Sequence, residues 1–351
     1  MASRNKTSPD LLKRLKKDVV LGAEGYLFEL ERRGYIKAGP YVPTVVLDHP
    51  EAVKQLHREF LRAGSEVIVA FTYYGHRAKM RAIGKEDLLE DLNRQALRLA
   101  TEIAAEGNAL VAGNLSNTWE YDHTKHRQTE KIVRPMFAEQ VQWAVEEGAD
   151  FIIAETFSHL GEAMIALDAI KQAGLPSVIT FAATQKNKTY DGYPYAQACR
   201  ELSLAGCDVV GLNCSRGPKT ILPILKKIRA AIPSDRYVAA QPVPYRTTPK
   251  RPIMQNLKPK GYEQHTYIAL DPFVLTRFEM AEFAIQAKNM GINYIGICCG
   301  GAPHHVRSMA EALGRKPPAS ENSPDLSLHP VVGRKGKQKA KFNQIVGDFK
   351  K

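Results

Sequence analysis

Three observations in this 351-residue chain predict an α/β fold of the (β/α)8 TIM-barrel type with a short basic C-terminal extension. Short apolar, β-branched runs recur eight times, at 19–21, 67–70, 109–112, 151–154, 177–180, 209–212, 237–240 and 294–297. Helix-like stretches lie between them, and polar or unusual residues gather just after the runs rather than before them. Continuous apolar runs are expected of parallel strands covered on both faces. Eight strand–helix alternations are the count that closes such a barrel.

Taken in order, the first run leads to Glu24 and Gly25, and an amphipathic helix at 51–62 delivers the chain to the second. Tyr73 and Tyr74 follow the second run. A helix at 88–105 precedes the third, after which come Asn114 and Asn117. Glu155 follows the fourth, and a helix at 162–171 ends at Gly174 before the fifth. Asn213 and Cys214 follow the sixth, Gln241 the seventh, and Cys298 and Cys299 the eighth. Links of one form join helix to strand, with Gly64, Gly148, Gly206 and Gly291 where a helix C-cap is needed. In a barrel of this kind the active site lies at the C-terminal ends of the strands, so all of these polar residues fall on the functional face. Cys207 precedes its strand and Cys199 falls in a helical stretch; both read as small packed residues. The barrel is expected to span 11–316, after an extension at 1–10. A loop and basic tail follow at 317–351.

Composition excludes several classes. Apolar residues make up 44% and charged residues 25%, values typical of a globular chain. Five cysteines in this length do not make a disulfide scaffold, which points to a reducing compartment. The start lacks the apolar core of a signal peptide, and no run has the length of a membrane span. The cytoplasm is the expected location. The net charge of +12 raises the question of nucleic acid. Seven basic residues against Asp348 between Arg334 and Lys351, with Arg4, Lys6, Lys13, Arg14, Lys16 and Lys17 at the other end, place much of it at the termini. Neither an RNA-recognition signature nor aromatic–basic interleaving is present, so no nucleic-acid partner is expected.

The cysteines carry the chemistry. Cys214 closes Gly-Leu-Asn-Cys at 211–214, and the adjacent pair Cys298 and Cys299 lies in Gly-Ile-Cys-Cys-Gly-Gly at 296–301. Three thiolates with one open position is the pattern of a catalytic rather than a structural zinc site. Neighbours on a regular strand point to opposite faces, so the pair shares a metal only if the chain turns there, which Gly300 and Gly301 permit. The competing reading is a set of packed cysteines or a redox pair.

These two cysteine segments resemble the zinc signature of the homocysteine S-methyltransferase family. Segments 28–35, 38–40, 49–53, 55–65 and 71–74 resemble its betaine–homocysteine S-methyltransferase branch. So do Ile-Ala-Glu at 153–155, Gln241-Pro242 and Pro303-His304-His305. The likeness is collinear from 11 to 319. It implies a zinc-dependent barrel enzyme that methylates homocysteine to methionine, with Cys214, Cys298 and Cys299 as zinc ligands. By the same resemblance Glu155 binds the homocysteine ammonium, and Tyr73 and Tyr74 belong to the donor site, where aromatic faces attract a methylated onium group. Tyr74 is a candidate for the fourth zinc position when the thiol is absent. The physical logic agrees: three thiolates on zinc keep a further bound thiolate electron-rich and nucleophilic. A neutral amine or sulfide leaving an onium methyl needs no general acid.

The chain departs from the branch pattern at three places. Gly-Ala-Glu-Gly at 22–25 stands where the branch shows Gly-Asp-Gly-Gly, so the acidic function has either moved to Glu24, beside Gly25, or been lost. Tyr41 stands where the branch has Trp, and Thr156 where it has Tyr; both positions are on the donor side. The C-terminal arm used for assembly in the branch is shorter here, although a homo-oligomer is still expected. Glycine betaine is the favoured donor. A sulfonium donor such as S-methylmethionine or dimethylsulfoniopropionate is the rival within the class, and a zinc-containing basic interaction module or an inactive family member are the rivals outside it. His304 and His305 open the last helix as supporting or surface groups. Arg216 and Asn213 flank a cysteine and are candidates for the amino-acid carboxylate.

Overall fold

The computed structural model describes residues 10–265 and 268–329. Eight parallel strands form one sheet in the order β1-β8-β7-β6-β5-β4-β3-β2. They are β1 (Val20–Leu21), β2 (Val67–Val69), β3 (Leu110–Ser116), β4 (Phe151–Phe157), β5 (Ser177–Ala182), β6 (Val209–Asn213), β7 (Tyr237–Gln241) and β8 (Tyr294–Ile295). A parallel bridge from Gly22 to Val67 joins the two ends of the sheet, and the Glu66 N–H donates to the Leu21 carbonyl at 2.8 Å. The (β/α)8 barrel is therefore present.

The helices, in chain order, are α1 (Leu11–Lys17), α2 (Tyr26–Arg32), α3 (Val45–Asp48), α4 (Pro50–Arg62), α5 (Arg77–Ala82), α6 (Leu89–Glu106), α7 (His126–Glu146), α8 (Leu160–Gln172), α9 (Tyr195–Leu204), α10 (Pro218–Ala231), α11 (Arg277–Asn289) and α12 (Pro303–Ala312). α4 shows how sequence makes such a layer. Pro50 takes the first helical position, where its missing N–H costs nothing. Ala52, Val53, Leu56, His57 and Phe60 then recur at helical spacing and are buried against the barrel. Each fully buried Leu or Phe of this kind contributes roughly 1.5–3 kcal/mol. The links at Gly64, Gly148, Gly206 and Gly291 all enter the left-handed region that ends a helix.

Several strand boundaries differ from those read in the apolar runs. β3 and β4 continue through Ser116 and Phe157, so Asn114 and Glu155 lie within strands rather than after them. The polar residues follow the apolar runs but are buried and bonded to each other inside the barrel, so the ladder persists. β8 is shorter than read. Its path beside β7 continues through Cys298 N–H to the Pro242 carbonyl at 2.9 Å, but Pro242 has no N–H with which to continue the ladder.

At the opposite end of the barrel, Leu11 and Leu15 of α1 are buried and Arg14 donates to the Asn108 carbonyl at 2.8 Å. After α12, the segment read as a loop contains a 3₁₀ turn, Pro318–Asn322, whose Ser320 hydroxyl donates to Glu311 of α12. The basic tail and the first nine residues lie outside the described residues.

Candidate active site

The cavity at the C-terminal end of the barrel is lined by residues from six strand ends. Glu24 and Gly25 follow β1, Phe71 and Tyr73 follow β2, and Asn114 comes from β3. Glu155 and Thr156 come from β4, and the three cysteines from β6 and β8.

The thiols meet because both chain segments leave their strands by turning. Cys214 and Ser215 have φ of 56° and 58°, left-handed values that end β6 abruptly. After β8 the Gly301 N–H donates back to the Cys298 carbonyl at 2.8 Å, and Gly300 has φ of 84°. A Cβ at Gly300 would sit 2.2 Å from the Tyr245 hydroxyl, so a side chain there is excluded by space as well as by backbone. The turn lets Cys298 and Cys299 share one side. The Sγ atoms of Cys214 and Cys299 are 3.7 Å apart, those of Cys298 and Cys299 are 3.9 Å apart, and all three lie within 4.8 Å of one another.

That spacing tests the fit of a metal. Zinc–sulfur bonds of about 2.3 Å at a tetrahedral centre put sulfurs about 3.8 Å apart, whereas a disulfide needs about 2.05 Å. The three thiols therefore suit a common tetrahedral ion. Their charges agree: hydrogen bonds from Cys298 and Cys299 hold the Cys214 thiol well below its usual range, while sharing with Cys214 holds the other two well above theirs. Glu24, Glu155 and Cys298 form a second group of the same compactness, but it shares Cys298, and a soft ion prefers the thiolates.

The carboxylates are then left for another cation. Glu155 is buried, and both of its oxygens accept from amides: Asn114 Nδ2 at 2.6 Å and Asn213 Nδ2 at 3.0 Å. A register shift in β4 between Ala154 and Phe157, with Thr156 at φ 64°, is the bulge that aims this side chain. Asn213 is fixed in turn. Its Oδ1 accepts from Thr156 N at 2.9 Å and Thr180 Oγ1 at 3.0 Å, and its Nδ2 also donates to Thr156 Oγ1 at 2.7 Å. Glu24 is buried beside Glu155, and its Oε1 has no hydrogen-bond partner among the described residues. Burial first, and the charge of Glu155 second, push the Glu24 carboxyl well above the usual range. Burial also raises Glu155, against the opposing effect of its hydrogen bonds. Two buried carboxyls with no cation among the lining residues have the chemistry to accept hydrogen bonds from an ammonium group.

Gly25 lines the cavity with φ of 106°, and a Cβ there would lie 2.8 Å from the Gly301 carbonyl and 3.0 Å from that of Cys298. The two tyrosines separate. Tyr73 lines the cavity, and burial, then Tyr74, Cys214 and Glu155, push its phenol well above the usual range. Tyr74 is not among the lining residues; its ring lies 4.4 Å from that of Tyr73. Tyr41 is also outside the lining and packs beside Phe28 in an apolar cluster that includes Cys214, Cys298, Met254 and Leu257. Arg216 does not face the cavity. Its guanidinium donates to the carbonyls of Ala183, Thr184, Gln185 and Thr220 and to Asn187 Oδ1. His305 is buried, with Nδ1 accepting from Ala302 N and Nε2 against the Leu275 carbonyl; His304 is exposed. Cys207 and Cys199 are buried with their thiols on the carbonyls of Val209 and Gly211. The positioning roles of Asn114, Asn213 and Thr180 are absent from the sequence reading, because no local spacing shows that three strands aim them at one glutamate.

The homocysteine S-methyltransferase family profile matches residues 23–313. Betaine–homocysteine S-methyltransferase 1 of Mus musculus is 37% identical over 330 residues, 90% of this chain and 78% of that protein. S-methylmethionine–homocysteine S-methyltransferase of Pongo abelii is 36% identical over 324 residues, 89% of this chain and 84% of that protein. Among solved structures, the metallated form of the Escherichia coli homocysteine methyltransferase MmuM superposes with a TM-score of 0.66 at 19% identity. It covers 84% of this chain and 96% of that one, a likeness of fold.

Proposed function

The chain belongs to the homocysteine S-methyltransferase family, and from that premise we propose that it is a zinc-dependent enzyme making methionine from homocysteine, with glycine betaine as donor. It is a methyltransferase acting on homocysteine. The observation that carries the reading is the juxtaposition of three thiols at 3.7–3.9 Å contacts with a buried carboxyl pair in one cavity. One group suits a thiol's metal, the other an amino acid's ammonium.

Cys214, Cys298 and Cys299 would hold the ion. When bound, zinc would stabilise the substrate sulfur as a thiolate at neutral pH. Glu155, held by Asn114 and Asn213, accepts the ammonium N–H groups together with Glu24, and so sets the direction of the substrate's chain. Tyr73 presents an aromatic wall to the methylated onium. The apolar lining of Leu27, Val69, Ala70 and Phe71 limits water around the reacting centres. Sulfur forms a bond to the methyl carbon as the carbon–nitrogen bond breaks, and the electron pair leaves on dimethylglycine. No protein acid is needed, because the leaving amine departs neutral.

The near-equal identities to a betaine enzyme and an S-methylmethionine enzyme keep a sulfonium donor as the second reading. We take 11–316 as the catalytic unit, working as a homo-oligomer in the reducing cytoplasm. Among the described residues no helix is long and apolar enough to cross a membrane. The test is methionine formation from homocysteine and glycine betaine by reduced, zinc-loaded protein. Turnover supports the reading. Turnover with S-methylmethionine alone moves the donor. Absence of turnover with both, with homocysteine not perturbing the bound metal, overturns it.

A further inference from the structure

We propose that Trp119, with Tyr74 and Lys79, forms the outer part of the donor subsite and restricts donors to zwitterions that carry both an onium group and a carboxylate. This inference rests on the onium-donor reading above.

Trp119 is 67% exposed, an unusual placement for so large an apolar side chain. It is also held at φ 65°, a left-handed conformation that bulky residues avoid. Its loop is built to keep it there. Both the N–H and the hydroxyl of Thr118 donate to the buried carboxylate of Glu162 on α8, at 2.7 and 2.6 Å. The Glu120 N–H returns to the Thr118 hydroxyl at 3.2 Å, and Asn117 is buried. A strained, exposed indole on a pinned loop at the barrel's C-terminal face calls for a reason beyond packing.

The neighbours supply one. The indole centroid is 6.3 Å from the Tyr74 ring, and Tyr74, itself at φ 63°, lies with its ring centroid 4.4 Å from that of Tyr73, tilted by 42°; Tyr73 lines the cavity. Three aromatic rings thus run from solvent to the thiols. Cations are attracted to such faces within about 6 Å of a centroid. The Tyr74 ring already attracts one, the Lys79 ammonium at 4.9 Å. Arg77 and Arg81 on the same helix are paired with Glu86 and Glu139, while Lys79 forms no ion pair among the described residues. A bare onium ion approaching these rings meets the repulsion of Lys79. A zwitterion meets an aromatic face for its onium group and an ammonium for its carboxylate.

Trp143 is buried in α7, so a Trp143→Phe protein reports the fluorescence of Trp119 alone. Titration with glycine betaine should give a saturating change in emission. The carbon isostere 3,3-dimethylbutanoate, which lacks the onium charge, should bind about tenfold more weakly. In turnover, Trp119→Gly should raise the donor KM about tenfold, leave the homocysteine KM in place, and keep or raise the melting temperature because glycine suits the backbone. Trp119→Phe should restore most of the donor KM. Lys79→Met should weaken betaine about fivefold without weakening competitive inhibition by tetramethylammonium. An unchanged donor KM in Trp119→Gly, or in Lys79→Met, overturns the inference while leaving the proposed function standing. Failure of the unmodified protein with every onium donor overturns the function itself.

Discussion

Glu155→Gln isolates charge from shape at the heart of the site. The replacement is isosteric, and the structure shows how it would settle. Both Glu155 oxygens now accept from amide nitrogens, so a glutamine nitrogen must face one of them. Asn213 is unable to turn, because its Oδ1 already accepts from Thr156 N and Thr180 Oγ1. Asn114 is free to turn, because its Oδ1 has no hydrogen-bond partner among the described residues. The glutamine oxygen should therefore keep Asn213 while the amide nitrogen donates to a flipped Asn114, and the fold should keep its melting temperature. What disappears is the charge that meets the ammonium. A hydrogen bond to a charged group is worth about 1.5–3 kcal/mol, or roughly 10- to 150-fold in affinity. Homocysteine KM and the calorimetric Kd for homocysteine should rise by that factor, with a smaller change in donor KM. The opposite pattern, in which turnover is lost while homocysteine binds as before, would refute the role given to Glu155 and the argument from the amide pair.

Other perturbations read different links. Cys298→Ser should lower zinc content, measured by atomic emission on reduced protein, well below one ion per chain, and chelation of the unmodified protein should abolish turnover until zinc is returned. Gly25→Ala places a side chain at φ 106° and within 2.8 Å of the Gly301 carbonyl, so a loss of at least about 1–2 kcal/mol in stability and weaker metal retention are expected, read by calorimetry and chelator competition. His57 is buried against Tyr26, neither ring nitrogen has a hydrogen-bond partner among the described residues, and burial pushes it down to about 3. The unfolded chain binds the proton from about pH 6.5 and the folded one does not, so stability holds above that pH and falls as pH drops toward 3. At pH 5 the loss from this group is about 2 kcal/mol. His57→Leu should flatten the acid limb of a melting-temperature profile by that amount, and a parallel limb would count against the assignment.

The strands were legible because burial on both faces leaves an apolar run that local sequence cannot hide. The exceptions are instructive. Asn114 and Glu155 follow their apolar runs, yet they are hydrogen-bonded to each other inside the barrel, and only cross-strand pairing shows that the strands continue. The cysteine set was legible because cysteine has few uses at a strand end and Gly300 follows the pair where a turn is required. The roles of Tyr73 and Tyr74 were not separable in the same way. Adjacent residues in an irregular turn have no fixed alternation, and the left-handed φ at Tyr74 decides which ring lines the cavity.

The sequence by itself determined the eightfold alternation and the end of the barrel where its polar residues gather, since both follow from local periodicity, and it singled out the three thiols through residue type together with a family likeness. Tertiary structure alone decided that Glu24 faces Glu155, that Asn213 ties the β4 glutamate to the β6 cysteine, and that Arg216 spends its donors on carbonyls. Those contacts join residues that are far apart along the chain. They exist only after the sheet has curved until its first strand meets its last, and no local preference encodes that closure.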